Sequence, residues 1–90
     1  MPTVKFTYAL KKFFPGLQDM PSNGTALLDI FDEMDACYPG VRSYLLDEQG
    51  SLRKHVNLFI DGTLVTDRNG LGDSIGPNSE IYVIQALSGG

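Results

Sequence analysis

The stretch IYVIQALSGG, Ile81–Gly90, decides how this chain folds. Apolar, β-branched and aromatic side chains fill most of positions 81–87, a composition typical of a largely buried strand. Ser88, Gly89 and Gly90 follow with no linker. Glycine has no Cβ, so a Gly-Gly pair can enter a cleft too narrow for any other residue. The stretch predicts a core strand with a bare tail that ends in an α-carboxylate, although a Gly-Gly end can also be merely a frayed terminus.

Length and composition predict one domain over residues 1–90. The chain has 42% hydrophobic and 20% charged residues, an ordinary globular balance. It has no long apolar run and no basic segment followed by an apolar one at its start, so we expect neither a membrane span nor a secretory signal. The single cysteine, Cys37, rules out an internal disulfide and suits a reducing compartment. The expected location is the cytoplasm.

The net charge of −4 bears on possible partners. An acidic chain disfavours nucleic acid, because binding to phosphates requires a basic face. Many of the acids are concentrated at Asp29, Asp32, Glu33, Asp35, Asp47 and Glu48. Such a run is either a solvated face or a docking surface for a basic partner.

The first half of the chain predicts strands followed by one long helix. Alternating apolar residues from Val4 to Leu10 predict a first strand, and Leu17–Met20 a short returning strand. Thr25 is a plausible N-cap for a helix that runs to about Tyr38 and is ended by Pro39-Gly40. The apolar stripe of this helix contains Leu27, Phe31, Met34 and Tyr38, flanked by Ile30 and Cys37.

The second half predicts a helical turn over 41–46, a strand over 56–60, a type I′ turn at Asp61-Gly62 and a short strand over 63–65. The loop 67–76 suits a helical turn around 71–75. Strands on both sides of one long helix predict an α+β fold, with the helix packed on a mixed sheet of about five strands. The apolar density of Ile81–Ile84 favours a central last strand, parallel to the first, with both faces covered or nearly so.

The chain resembles the ubiquitin-like β-grasp sulfur carriers, the superfamily of the molybdopterin-synthase small subunit and the thiamine sulfur carrier. The resemblance rests on Val56–Gly62, a strand and turn of the form VN-apolar-apolar-apolar-D-G, and on Asn78–Glu80 leading into a strand that ends Leu87-Ser88-Gly89-Gly90. The segments 38–40, 46–52 and 53–57 most resemble the carriers that supply sulfide for cysteine synthesis from O-phosphoserine. Many members have proline shortly before the diglycine, where this chain has Gln85-Ala86.

The resemblance implies a flexible tail over 87–90, in which Leu87, Ser88 and Gly89 enter a partner's cleft and Gly90 reacts. The Gly90 carboxylate becomes an adenylate and then a thiocarboxylate. The chain has no GxxxxGK[ST] or GxGxxG sequence, so the ATP is used by a separate adenylyltransferase/sulfurtransferase that resembles ubiquitin-activating enzymes. The carrier is then a protein cosubstrate rather than an enzyme, with no bound cofactor. His55 is the only histidine, so a metal site is not expected.

The resemblance leaves the sulfur acceptor open. A pyridoxal-phosphate cysteine synthase is the preferred acceptor, and the large subunit of molybdopterin synthase is the alternative. From another class, Gly90 would form an isopeptide as a ubiquitin-like protein modifier. Docking is expected on an apolar, polar-rimmed patch of the exposed sheet face beside the tail, with Phe59 and Leu87 as candidate members. Cys37 is expected to lie on the packed helix stripe and to be dispensable for sulfur transfer.

Overall fold

The structure, a computed structural model, describes residues 1–85. The predicted tail residues Leu87, Ser88, Gly89 and Gly90 lie outside the described residues. In chain order the elements are β1 (Thr3–Phe6), α1 (Tyr8–Phe13), β2 (Met20–Pro21), α2 (Leu27–Cys37), α3 (Val41–Leu45), β3 (Val56–Ile60), β4 (Thr63–Leu64) and β5 (Glu80–Gln85). Within residues 1–85, no helix is both long and apolar enough to cross a membrane.

The five strands form one mixed sheet with β5 in its centre. The strand order is β2-β1-β5-β3-β4. Strand β5 pairs in parallel with β1, where Phe6 lies opposite Val83, and antiparallel with β3, where Leu58 lies opposite the same valine. The two outer strands, β2 and β4, pair antiparallel with β1 and β3. The prediction of a central last strand, parallel to the first, is confirmed.

One face of this sheet packs against helix α2 in a single hydrophobic core. Ile81 and Val83 of β5 turn to this face and are fully buried, together with inward residues of β1 and β3. The helix side of the core is formed by Leu27, Ile30, Phe31 and Met34 of α2 and by Val41 and Leu45 of α3. The predicted α+β fold, with one main helix on a five-stranded sheet, is confirmed.

The first strand is shorter than predicted, because helix α1 replaces its second half. The backbone leaves the sheet at Thr7, whose side-chain oxygen accepts a hydrogen bond from the amide of Leu10 and caps the helix. Leu10 then reaches the core from a helix, while Tyr8 points into solvent. Alternation over so few residues fits both structures, and the threonine cap together with the burial of Leu10 favours the helix.

Other boundaries also differ from the prediction. Helix α2 begins after Ala26, which makes no side-chain capping bond, while Thr25 donates to Asp29 instead of capping the helix. Strand β2 covers Met20–Pro21 rather than 17–20, and β4 ends at Leu64. The helical turn predicted around 71–75 is absent.

The loop where that helical turn was predicted is held instead by two carboxylates that accept main-chain amides. Asp67 accepts the amides of Gly70 and Gly72, at 2.8 and 3.0 Å. Asp73 accepts the amides of Thr66 and Asp67, at 3.1 and 2.8 Å, and also the Thr66 hydroxyl. These donors stabilise the charged carboxylates, so the amides of Gly70 and Gly72 lower the pKa of Asp67, and the amides of Thr66 and Asp67 lower the pKa of Asp73.

The lowered pKa values predict an acid-dependent loss of stability. Because both carboxyls are more acidic in the folded chain, their contribution is complete above the ordinary carboxyl pKa of about 4 and is lost as the pH falls through the folded values. We expect urea midpoints measured between neutral and acidic pH to fall less steeply for the double variant Asp67→Asn, Asp73→Asn. Equal slopes for the variant and the wild type would show that these carboxylates do not stabilise the fold.

Candidate functional site

The face of the sheet opposite the core is open to solvent. Side chains alternate along β5, so Ile81 and Val83 face the core while Tyr82 and Ile84 face outward. Tyr82 is 41% exposed and Ile84 is partly buried. The expectation that both faces of the last strand are covered is therefore wrong, because the three helices leave this face without a second layer.

The strand register aligns a row of side chains across this open face. Lys5 lies opposite Tyr82, Tyr82 opposite Phe59, and Phe59 opposite Leu64. Leu64 is 48% exposed and Phe59 is partly buried. Phe59, which the sequence proposed as a docking residue, thus lies between two exposed apolar neighbours.

A groove runs over this row towards the end of β5. It has a volume of about 540 Å³. Its lining residues are Phe59, Asp61, Gly62, Glu80, Tyr82 and Ile84. The floor is apolar, and two carboxylates lie at the end where β5 begins. This combination of an apolar centre and a polar rim is the usual composition of a protein docking surface. Tyr82 and Ile84 were not singled out from the sequence, although their alternation with Ile81 and Val83 placed them together.

The far end of the groove is fixed by the turn between β3 and β4. Asp61 and Gly62 have φ values of 51° and 85°, and a type I′ turn requires positive φ at both positions. The Asp61 carboxylate accepts the Ser79 hydroxyl and the Glu80 amide, both at 2.9 Å. The sequence predicted the turn, but not that its aspartate also fixes the start of β5.

The acidic run serves mainly to hold loops of its own chain. Glu33 accepts a hydroxyl and an amide from the segment 22–23, at 2.9 Å each. Asp35 accepts two amides at the start of α3, and Asp47 accepts two amides of its own loop. Asp32 forms an exposed ion pair with Arg42 at 3.2 Å. Three of these four acids therefore bind main-chain amides. The sequence had suggested either a solvated face or a docking surface, and neither interpretation included this role.

The described chain ends on the central strand of the sheet. Gln85, the last described residue, lies opposite Val56 at the start of β3. It follows Ile84, which lines the groove, so the described chain ends beside the groove. The proposed roles of Leu87, Ser88, Gly89 and Gly90 remain predictions.

Cys37 does not lie on the packed stripe of α2. Its side chain is exposed at the end of the helix, so the expectation of a packed cysteine is wrong. The helix turns its last residues outward where the chain bends through Pro39 and Gly40 into α3. His55 is partly buried just before β3. In residues 1–85, no group of three or more His, Cys, Asp or Glu side chains is arranged to hold a metal ion.

Comparison with solved structures defines the class of fold. A chain of the crystal structure of the Amycolatopsis orientalis BexX/CysO complex matches with a TM-score of 0.83 and 21% identity, over all of both chains. The solution structure of small archaeal modifier protein 1 from Methanosarcina acetivorans matches with a TM-score of 0.78 and 22% identity, over 99% of this chain and 95% of that one. The predicted ubiquitin-like β-grasp fold is confirmed.

Comparison by sequence finds similarity to a sulfur carrier protein. Sulfur carrier protein CysO of Mycobacterium tuberculosis is 24% identical over 90 residues, which span 98% of this chain and 97% of that protein. No protein-family model matches the chain. The similarity to CysO confirms the resemblance to sulfur carriers that the sequence motifs indicated.

The exposure of Cys37 predicts that this thiol is dispensable for the stability of the fold. A Cys37→Ala variant removes no core contact, so we expect its free energy of unfolding to stay within about 0.5 kcal/mol of the wild type. In the folded wild type, the thiol should react at once with a thiol reagent. Slow labelling, or a loss of more than about 2 kcal/mol, would mean that the cysteine is packed after all.

Proposed function

We propose that this chain is a sulfur carrier whose Gly90 carboxylate is adenylated by a separate ATP-dependent enzyme and then converted to a thiocarboxylate. The observation that carries the proposal is the similarity to Sulfur carrier protein CysO along nearly the whole length of both proteins. The open groove beside the end of β5 supports it, since a carrier must dock on the enzyme that receives its tail. We expect these encounters to take place in the cytoplasm.

The chemistry explains why a partner is needed. An α-carboxyl has a pKa of about 3.5, so it is ionised at neutral pH and is a poor electrophile. Attack of its oxygen on the α-phosphorus of ATP forms an acyl-adenylate and releases pyrophosphate. Sulfide then attacks the carbonyl carbon and AMP leaves, so that a C–S bond replaces the C–O bond. The carrier is consumed and renewed in this cycle, and acts as a cosubstrate rather than an enzyme.

The fold supplies reach and position. Five residues follow Gln85 and span at most about 17 Å when extended. That length is enough to cross the rim of a partner's cleft while the groove over Phe59 and Tyr82 stays docked outside. Gly89 and Gly90 lack side chains, so a narrow cleft admits them.

The preferred acceptor is a pyridoxal-phosphate enzyme that makes cysteine from O-phosphoserine. The segments 38–40, 46–52 and 53–57, which most resemble the carriers for cysteine synthesis, support this choice, as does the similarity to CysO. The pyridoxal chemistry belongs to that enzyme, and the carrier only delivers sulfur to it. The alternative acceptor, the large subunit of molybdopterin synthase, gains no support from the similarity to CysO.

A protein modifier is the second candidate, because the structure of a small archaeal modifier protein has the same fold. Both functions begin with an activated Gly90, so the fold alone does not separate them. The intact mass of the protein from its native host separates the two functions. One oxygen-to-sulfur replacement would support the carrier. Conjugates to larger proteins would support the modifier, and unmodified protein under sulfide-replete conditions would contradict both.

A narrow adenylation cleft predicts a strong effect of a side chain at position 89. With the cognate adenylating enzyme, we expect ATP–pyrophosphate exchange to be abolished by Gly89→Val and reduced less by Gly89→Ala, because the added side chain obstructs entry. Unfolding by urea should be unchanged for both variants. Normal exchange by Gly89→Val would contradict this prediction.

The groove predicts a docking residue with a matched control. Tyr82→Ser removes the ring at the centre of the groove and should lower kcat/KM for exchange by about tenfold, equivalent to about 1.4 kcal/mol, mainly through a higher KM. Leu28→Ser, on the exposed side of α2, removes a side chain of similar exposure, 43% against 41%. Equal effects of the two substitutions would show that the groove is not the docking site.

A further inference from the structure

Arg68 is a cation that no acidic side chain of residues 1–85 neutralises. The ion pairs in this part of the chain use Lys5, Lys11 and Arg42. The carboxylate next to it in sequence, Asp67, accepts main-chain amides instead. The side chain of Arg68 is nevertheless partly buried. Charged groups that lose part of their water are usually paired, so a guanidinium without a carboxylate calls for a partner outside this part of the chain.

Two hydrogen bonds hold the guanidinium of Arg68 in one place. Its Nη1 atom donates to Oδ1 of Asn57 at 2.8 Å, and its Nη2 atom donates to the main-chain carbonyl of Arg53 at 2.7 Å. A guanidinium has five N–H donors, so these two bonds leave three of them unused. A guanidinium that is already oriented and has unused donors is suited to bind a carboxylate through two parallel hydrogen bonds.

Asn57 places this guanidinium on the open face of the sheet. Leu58 is buried in the core, and the side chain of Asn57 therefore projects to the opposite face, because side chains alternate along β3. Asn57 lies opposite Ile84, which lines the groove. Arg68 thus adjoins the groove at the end where β5 finishes, close to the last described residue.

The other cations at the start of β3 differ from Arg68. Arg53 lines a hollow together with Asp47 and Glu48, so its charge lies beside two acids. The Arg53 side chain also donates to a main-chain carbonyl of α3. Lys54 is exposed. Arg68 is therefore the cation of this region that combines a fixed orientation with a charge that no neighbouring acid balances.

We propose that Arg68 is a docking residue for the adenylating enzyme, and that it binds a carboxylate at the rim of that enzyme's cleft. The inference rests on the proposed function, which places this enzyme on the groove that Arg68 adjoins. When the rim closes over the groove, water leaves and the ion pair forms in surroundings of lower dielectric constant than bulk water. A bidentate pair of this kind fixes the orientation of one protein on the other and so contributes specificity.

A protein carboxylate fits this position better than a phosphate of ATP. In the proposed reaction, the residues after Gln85 extend into the cleft and carry Gly90 up to about 17 Å from Gln85. The nucleotide must be bound where Gly90 reacts, whereas Arg68 stays beside the end of β5. The guanidinium therefore meets the rim of the cleft rather than the nucleotide.

The test measures ATP–pyrophosphate exchange with the full chain and the purified adenylating enzyme. Arg68→Gln removes the charge, and we expect the KM for the carrier to rise about tenfold with kcat almost unchanged. Arg68→Lys should recover only part of this loss, because an ammonium group cannot form the two parallel hydrogen bonds. The control, Arg42→Gln, removes the same charge from α3, where Arg42 pairs with Asp32, and should have no effect.

A second variant neutralises Arg68 without removing it. Asn57→Asp keeps an oxygen acceptor for Nη1 and adds a carboxylate that pairs with the guanidinium. We expect it to raise the KM for the carrier as Arg68→Gln does, while its urea midpoint does not fall. An arginine that only supports the fold would tolerate this change, so Asn57→Asp decides the question if Arg68→Gln fails to fold. The effect of Arg68→Gln should also shrink as salt rises.

Other results would contradict this assignment. A wild-type KM for both Arg68→Gln and Asn57→Asp, with normal exchange by the wild type, overturns this inference alone. Equal effects of Arg68→Gln and Arg42→Gln would show that net charge is responsible rather than a contact beside the groove. A higher KM for ATP at saturating carrier would assign the guanidinium to the nucleotide. Normal exchange with slower sulfur transfer to the acceptor would assign it to that enzyme. Wild-type carrier that supports no exchange overturns the proposed function and the inference with it.

Discussion

The pairing of β5 on both of its edges is the constraint on which the rest of the structure depends. A parallel partner on one side and an antiparallel partner on the other satisfy the main chain of this strand from Glu80 to Gln85. Strand β5 lies near the end of the chain and pairs with β1, which lies near its start. The sheet therefore forms only when these two parts of the chain meet. The last described residue, Gln85, therefore lies in the sheet's centre rather than at a free edge.

This arrangement divides the sheet into two unlike faces. On β5, Ile81 and Val83 enter the core against α2, and the side chains at even positions face the open side. The three helices all contribute to the core, so nothing in residues 1–85 forms a second layer over Phe59, Tyr82 and Ile84. An uncovered face with an apolar centre and a polar rim suits a protein that docks on a partner.

Carboxylates of this acidic domain help to hold its turns and loops in place. A chain of this size buries only about 60% of the surface that it exposes when unfolded. Its loops bury apolar side chains such as Leu52, Val65 and Leu71. In addition, Asp35, Asp61, Asp67 and Asp73 accept main-chain amides across turns. Acids used in this way are fixed in position. At the groove rim, Asp61 is one of them, and Glu80 forms an ion pair with Lys5 at 2.8 Å.

The sequence by itself determined the last strand, predicted over 81–87 and observed over Glu80–Gln85, the main helix, the strand 56–60 with its Asp-Gly turn, and the family resemblance. These features depend on local periodicity and on turn residues, which act over a few neighbours. Only the tertiary structure decided that Tyr8 to Phe13 is a helix, that Cys37 is exposed, and that one face of β5 is open. Each of these depends on what packs against the segment. Alternation fits a strand covered on one side as well as one covered on both, and four apolar positions fit a short helix as well as a strand, so the choice is made by contacts between residues far apart in the chain.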